Sequence, residues 1–417
     1  MRRPAAAGTL IMALAISQTV GFGVLYYMFA VFLPAIAAEF GVDPSQVTGA
    51  FAAGVLATAV AAVPVGRWVD RRGGRGMLVG GAVLGVVAVA GWSQVRNLAE
   101  LYLAMVAIGI AGAMVLYEVA FAVLVQVVEP RRRQSAILAV TVVAGFASTI
   151  FIPLAGLLNE FYGWRIAVLL LAVLFGAVVI PLHVLAVPQV RRSAAVRRAA
   201  ADRRLLPTVL RDPGFWLLGL AFTVHGGAVA IAAVHTVSYL IALGHPATLS
   251  AAVAGLFGAM SVAGRLLVTR LSALLPIATL TAVIMALQAV AIVVLVFTGR
   301  SIWAAAVCVL VFGLGFGVAT IARPVLLAER YPTAVFATVS GVLAAPMILA
   351  KAFAPLGAAL LLATFGGYLP MMLVVILACL MAAGALWLFQ FRDGRQRRSG
   401  SEAPRSNVSA EPTLTRL

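Results

Sequence analysis

Twelve apolar runs, each about as long as the ~20-residue helix that crosses a bilayer, follow one another along the 417-residue chain. Hydrophobic residues make up 63% of the chain and charged residues only 10%, against ~45–50% and ~25% in soluble domains. The pattern predicts an all-α polytopic membrane protein and excludes a soluble enzyme or a nucleic-acid factor. The predicted spans are 9–37, 46–66, 77–94, 98–122, 135–158, 165–187, 214–242, 249–269, 275–298, 303–325, 334–362 and 369–391.

The basic residues are distributed unequally between the segments that join these spans. If both termini are cytoplasmic, 24 basic residues fall in cytoplasmic segments and only Arg96, Arg165 and Arg300 fall outside. Positively charged loops remain on the cytoplasmic side of membrane proteins. The asymmetry predicts a multi-pass protein of a bacterial cytoplasmic (inner) membrane with both termini inside. It also accounts for the net charge of +17 without nucleic acid as a partner.

Glycine and proline positions in the first six spans recur in the last six at offsets between 202 and 206 residues. The clearest pair is Pro153-Leu154 in span 5 and Pro355-Leu356 in span 11. Such internal symmetry is typical of secondary transporters. It predicts an N-terminal six-helix half over 1–187, an Arg-rich cytoplasmic linker over 188–213, a C-terminal half over 214–391 and a disordered cytoplasmic tail over 392–417.

The segment between spans 2 and 3 carries a glycine- and arginine-rich motif. It contains Gly66, Asp70, Arg71, Gly73 and Arg75, and this pattern resembles the loop signature G-x-x-x-D-R-x-G-R-R of the major facilitator superfamily. The resemblance implies the major facilitator fold of twelve helices in two six-helix halves, and transport by alternating access. Physically, the glycine permits close helix contact, and the aspartate is suited to cap a facing helix N-terminus.

Within that superfamily, His235, Gly244 and the pair Gly264-Arg265 are similar to bacterial relatives of the monocarboxylate transporters and oxalate–formate antiporters. That branch often has an aspartate one turn before this arginine, where the present chain has Ser261. Drug/proton antiporters usually carry an arginine in span 4 where Met105 stands. Their glycine-rich motif in span 5 is also incomplete here.

Four charged residues lie within the predicted spans: Glu118, Arg265, Arg323 and Lys351. A charge in the hydrocarbon costs ~2.5–3.5 kcal/mol, so such residues are expected to face a cavity and to have partners. Three positive charges stand against one negative charge. Because a desolvated cation needs a counter-charge, this excess favours an anionic substrate.

Each of the three cations has alternative readings. Arg265 either clamps a carboxylate in bidentate fashion or forms a structural pair with a neighbouring helix. Arg323 either extends toward the membrane surface or pairs with Glu118, the leading candidate for proton coupling. Lys351, the only lysine among 30 basic residues, binds substrate, exchanges a proton, or extends toward the surface.

Polar aromatic and imidazole side chains complete the set of candidates. Tyr26 and Tyr27 in span 1 are candidates for hydrogen bonds to substrate, as is His235 in span 7, although such residues more often serve helix packing. The two cysteines lie in apolar runs, so no disulfide and no metal site is expected. No cofactor is expected either, since the chain has no P-loop for ATP.

The leading interpretation is a proton-coupled secondary active transporter of a small organic anion such as a monocarboxylate. The alternative is proton-driven efflux of a drug or secondary metabolite. An intramembrane enzyme lacks any catalytic motif, and a non-transporting sensor differs from a transporter only in flux. The expected partners are the substrate, protons and the lipid bilayer, and a monomer is expected.

Overall fold

The computed structural model describes residues 4–189 and 205–401, and these residues form helices without any strand. Most of the predicted linker, and the predicted tail from 402 onward, lie outside the described residues. We number the spans 1 to 12 in chain order. The helices are Pro4–Phe22, Gly23–Tyr27 and Phe29–Phe40 in span 1, Pro44–Arg72 in span 2, Gly74–Trp92 in span 3, Leu98–Val115 and Tyr117–Val127 in span 4, Pro130–Ala144 and Ala147–Ala186 in spans 5 and 6, the short helix Leu205–Arg211, then Pro213–Ala242, Ala247–Leu271, Ile277–Thr298, Ile302–Arg330, Phe336–Phe365 and Leu369–Ser401 in spans 7 to 12.

Eleven helical stretches in the described part of the chain are long and apolar enough to cross a membrane. One of them, Pro130–Ala186, has 57 residues and would measure about 85 Å if straight, far more than a bilayer of ~30 Å. Its backbone leaves the helical region at Gly163, with φ 74° and ψ 162°. This stretch therefore supplies two spans, which confirms the predicted twelve.

The contacts on either side of Gly163 show that the chain reverses there. The ring of Phe151 lies against the middle of span 1, and the indole Nε1 of Trp164 donates to Glu39 at the end of that span, over 2.6 Å. Beyond the reversal, Arg165 donates to the carbonyl of Ser93, whereas His183 lies 3.1 Å from the carbonyl of Leu78. Span 6 therefore runs antiparallel to span 3.

Glycines let helices cross at backbone contact at equivalent places in the two halves. A Cβ on Gly109 of span 4 would lie 1.9 Å from the carbonyl oxygen of Gly54 in span 2. A Cβ on Gly317 of span 10 would lie 1.7 Å from the carbonyl oxygen of Ser261 in span 8. No larger residue fits at either crossing, which explains the glycines that recur in the sequence.

The packed core shows how the two halves meet. One cluster of buried residues lies wholly within the N-terminal half and a second wholly within the C-terminal half. A third cluster combines residues of both halves. It lies at the end of the bundle that holds the turns near Gly73, Glu129, Ser272 and Tyr331, which we call the basic end. The shared core therefore joins the halves at the basic end, and we infer that they separate toward the opposite end. We call the space between them, next to Tyr26, Tyr27 and Lys351, the vestibule.

Four helical features differ from the simple pattern of uninterrupted spans. Span 1 contains a five-residue π-helical turn, Gly23–Tyr27, and span 4 is interrupted at Leu116, whose backbone is extended. The last helix continues to Ser401, beyond the predicted end at 391. The short helix Leu205–Arg211 lies inside the predicted linker. The apolar runs predict which residues cross the membrane, but they do not predict local helix breaks or helices that continue into polar sequence.

Candidate functional site

Glu118 joins the two halves at the basic end. The interruption at Leu116 places it in the first turn of the second helix of span 4. Its Oε1 lies 2.5 Å from Nη2 of Arg323 in span 10, and its Oε2 accepts a hydrogen bond of 2.5 Å from the hydroxyl of Ser340 in span 11. Of the two readings of Arg323, the structure has the pair with Glu118. The single intramembrane acid is thus bound to two helices of the other half.

Arg265 also reaches across the halves but finds no acid. Its side chain is only 5% exposed. Nη1 donates to the carbonyl of Thr141 in span 5, and Nη2 lies 3.3 Å from the hydroxyl of Ser261, one turn earlier on its own helix. Nε has no partner among the described residues. Within that part of the chain no carboxylate lies within 4 Å of this guanidinium.

Lys351 lies among the inner helices of the C-terminal half. A Cβ on Gly226 of span 7 would be 3.4 Å from its Cε, and its Nζ is 5.9 Å from the ring centre of Phe316 in span 10. The side chain is nevertheless solvent-exposed, because it opens on the vestibule. In the described part of the chain it forms no ion pair, and its charged neighbours are Arg323 and Glu118.

Aromatic rings of the N-terminal half line the same region. The π-helical turn carries Tyr26 and Tyr27, whose ring centres are 5.3 Å apart. Phe22 packs 4.5 Å from Tyr117, which stacks on Phe121 at 4.9 Å. The hydroxyls of Tyr27 and Tyr117 lie within electrostatic reach of Arg265. The vestibule therefore has a cationic wall from one half and an aromatic wall from the other.

The loop motif forms a second contact between the halves at the basic end. Asp70, 2% exposed, accepts from the backbone N–H of Ala337 at 3.1 Å and of Thr338 at 2.7 Å. It thereby caps the N-terminus of span 11 from the other half, as its sequence suggested. A Cβ on Gly66 would lie 2.4 Å from the carbonyl oxygen of Ala337. Gly66 therefore permits the close approach on which this cap depends.

The rest of the motif has local roles. Gly73 has φ 91° and ψ 162°, in the region that favours glycine, and ends span 2. Arg75 donates to the carbonyl of Val184 in span 6 at 2.5 Å. Arg71 is exposed.

The two histidines of span 7 make contacts with neighbouring helices. Nε2 of His235 lies 3.1 Å from the carbonyl oxygen of Pro355 in span 11. Nε2 of His225 lies 2.8 Å from Oε1 of Gln288 in span 9, whose amide in turn donates to the carbonyl of Phe312. In both rings, Nε2 is therefore occupied by a contact with a neighbouring helix. The described residues contain no group of three metal-ligating side chains.

Outside the membrane, Asp212 joins the start of span 7 to the end of span 10 at the basic end. It caps span 7 through the N–H of Gly214 at 2.9 Å, and it accepts from Arg330 Nε at 2.9 Å and from the hydroxyl of Tyr331 at 2.8 Å. Burial alone would raise the pKa of Asp212, but these donors hold it below the ordinary 3.8. Burial, and then the bond to Asp212, raise the pKa of Tyr331.

Sequence reasoning missed three parts of the site. Ser340 is one of several serines in apolar runs, and the carbonyl of Thr141 is a backbone group that any residue would provide. Gly145, whose Cβ would lie 2.6 Å from Nη1 of Arg265, follows no motif. Only the internal repeat, which sets Glu118 near the depth of residue 322, gave a signal for the ion pair.

Comparison with solved structures gives the fold independently. The chain is similar to a bacterial homologue of the iron transporter ferroportin in an outward-facing state, at 16% identity and a TM-score of 0.77, with 94% of this chain and 100% of that chain covered. It is similar to the proton:xylose symporter XylE, at 12% identity and a TM-score of 0.69, with 94% of this chain and 96% of that chain covered. It is also similar to the E. coli fucose:proton symporter FucP, at 12% identity and a TM-score of 0.69, with 91% of this chain and 98% of that chain covered. At these identities the likeness establishes the fold alone.

No curated protein sequence matches the chain. The family model of the Major Facilitator Superfamily, by contrast, matches residues 14–345, which is well over half of the chain and includes the loop motif, Glu118, Arg265 and Arg323. Members of this family are multi-pass transporters that bind small-molecule substrates, and they are not enzymes. The chain therefore belongs to the major facilitator superfamily.

Proposed function

We propose that this transporter moves a small organic anion, with monocarboxylates as the first class to test, and couples that movement to protons. The observation that carries the proposal is the pair Arg265 and Lys351, two cations in the vestibule region without a carboxylate partner in the described part of the chain. Because Glu118 already neutralises Arg323, these two charges are what remains. The buried cation of Arg265 is costly without a counter-charge, and a substrate carboxylate would supply that charge within reach of Lys351.

The placement in the membrane follows from charge. We place the basic end at the cytoplasmic side of a bacterial inner membrane, with both termini inside, because the Arg-rich loops lie there. In that orientation the vestibule opens outward. A carboxylate entering it meets the aromatic wall first and the cations at its floor. We take the monomer to be the transporting unit, since each chain has its own vestibule.

Glu118 is the residue to which we assign proton coupling. It bridges the halves through Arg323 and Ser340, and protonation would remove the charge that holds Arg323. The contact that keeps the basic end closed would then weaken. Both XylE and FucP are described as proton symporters, which agrees with coupling to protons in this fold.

A second candidate function is proton-driven efflux of an amphipathic drug or secondary metabolite. The aromatic wall favours it, since large rings bury apolar ligands well. The two unpaired cations count against it, because a cationic drug would be repelled.

Uptake into proteoliposomes separates these candidates. The purified protein should catalyse counterflow of a radiolabelled carboxylate, and a pH gradient should drive its accumulation. The panel should contain mono- and dicarboxylates and an amphipathic cation. Arg265→Gln and Lys351→Met should each weaken anion affinity about 10- to 100-fold, since hydrogen bonds to charged groups contribute ~1.5–3 kcal/mol.

The matched control is Arg300→Gln, which removes an exposed arginine at the opposite end and should leave transport unchanged. Transport of the cation but of no carboxylate would refute the proposal. Equal loss in the control and in the two vestibule variants would also refute it, because the effect would then reflect net charge.

A further inference from the structure

The guanidinium of Arg265 is held in place by the opposite half of the protein. Arg265 belongs to span 8, whereas the carbonyl that accepts from its Nη1 belongs to Thr141 in span 5. One turn further along span 5, Gly145 leaves room for the same nitrogen: a Cβ there would lie 2.6 Å from Nη1. The tip of the side chain therefore occupies a notch formed by a carbonyl and a glycine of the N-terminal half.

The remaining contacts of Arg265 leave one edge of the guanidinium open. Nη2 lies 3.3 Å from the hydroxyl of Ser261, a long hydrogen bond. Nε has no partner in the described part of the chain, although the side chain is 95% buried. Nε and Nη2 point along the same edge of the planar group, and such an edge is what a carboxylate binds in bidentate fashion. The notch in span 5 thus fixes which edge is presented.

This arrangement exists only while the halves touch at the basic end. Spans 5 and 8 are also joined there by Gln134, whose amide donates to the hydroxyl of Ser272 at 2.7 Å. When the halves rock apart at that end, span 5 leaves span 8 and Nη1 loses its acceptor. A long side chain without an anchor regains rotamer freedom, which a ligand must then restrict at a cost in affinity.

We propose that Thr141 and Gly145 are positioning residues for anion binding, so that the high-affinity form of the Arg265 site exists only while the basic end is closed. The proposal rests on the anion function proposed above. An anion then binds tightly from the vestibule and loosens once the basic end opens, which favours release on that side. By linkage, a bound anion stabilises the closed basic end to the same extent.

The first test changes the notch without changing any charge. Gly145→Ala should push the flexible guanidinium away from span 5 and weaken carboxylate binding about tenfold, as measured by equilibrium binding to the purified protein. Gly145 has helical backbone angles, φ −61° and ψ −23°, so alanine is tolerated there. The control is Gly156→Ala in the same span, where a Cβ would meet nothing within 4 Å. Equal affinity in Gly145→Ala and the parent would overturn the proposal.

The second test locks the basic end. Cys308 and Cys379 are first replaced by alanine, and the pair Gln134→Cys and Ser272→Cys is introduced. This protein is prepared with and without Asp70→Asn, which should open the basic end. Each version is then measured before and after cross-linking with a short reagent. We expect Asp70→Asn to bind the carboxylate about tenfold more weakly than the parent, and cross-linking to restore the parent affinity. A variant that was merely misfolded would not be restored.

The outcomes separate this inference from the function on which it rests. If no carboxylate binds the parent protein, the anion function fails and the inference fails with it. If the parent binds a carboxylate but cross-linking leaves Asp70→Asn weak, or lowers the affinity of the parent, the anion function stands and the positioning role is refuted.

Discussion

Replacing Asp70 by asparagine should open the basic end. The carboxylate accepts from the backbone N–H groups of Ala337 and Thr338, at 3.1 and 2.7 Å, and is 2% exposed. Asparagine retains one acceptor but turns its amide NH2 toward the other N–H, and it removes the charge that favours a helix N-terminus. A buried hydrogen bond to a charged group contributes ~1.5–3 kcal/mol, and the charge–dipole interaction contributes ~0.3–1 kcal/mol.

The loss is therefore about 2–4 kcal/mol, and it falls only on the closed state, because the cap joins the two halves. Since 1.4 kcal/mol is a factor of ten, the ratio of open to closed forms should rise about 30- to 700-fold. Spin labels on the exposed residues Arg131 and Arg270 lie at the basic end of different halves. Their distance distribution, measured by double electron–electron resonance, should shift to longer distances.

Asp43→Asn is the matched control. Asp43 caps span 2 by accepting from the N–H of Ser45, so the chemistry is the same but the cap lies within one half and at the opposite end. It should leave the distance distribution unchanged. A change below about threefold for Asp70→Asn in well-folded protein, or an equal change for Asp43→Asn, would refute the reasoning that the cap holds the halves together.

Three further predictions follow from contacts at the basic end. Glu118→Gln should abolish accumulation driven by a pH gradient but preserve carboxylate counterflow, and gradient-driven uptake equal to the parent would exclude Glu118 as the proton carrier. Gly66→Ala, whose Cβ would lie 2.4 Å from a backbone oxygen of span 11, should lengthen the same spin-label distance, whereas Gly76→Ala, with nothing within 4 Å, should not. Hydrogen-bond donors hold the pKa of Asp212 below 3.8. Its contribution to stability is therefore complete above about pH 4 and is lost as the pH falls through the lower folded pKa. Asp212→Asn should have a lower melting temperature than the parent at about pH 6, and the difference should narrow toward about pH 3.

The architecture was accessible from sequence because the bilayer imposes a length and a polarity on every span. The predicted number of twelve holds even where span 5 and span 6 form one helical stretch, since Gly163 reverses the chain. The break at Leu116 was not predictable, because no proline or glycine occupies the position whose backbone is extended. That break nevertheless places Glu118 in the first turn of a new helix.

The candidate site was predictable as a set of charges but not as a set of contacts. A charge within an apolar run is costly to place in the membrane, and this identified Glu118, Arg265, Arg323 and Lys351. Their partners depend on which helices of opposite halves meet, which a local pattern does not encode. The acceptor for Arg265 illustrates the limit, since a backbone carbonyl has no residue signature. Binding of a substrate by these residues remains a prediction.

The hydrogen bonds between the halves are confined to one end of the bundle, and we expect this to give the transport cycle a thermal bias. In the described part of the chain, every hydrogen bond between the halves lies at the basic end. We expect the state that closes the opposite end to depend more on apolar association, since the helices that would meet there are largely apolar. Apolar association weakens on cooling. Cold should therefore trap the conformation seen here, and warming should release it.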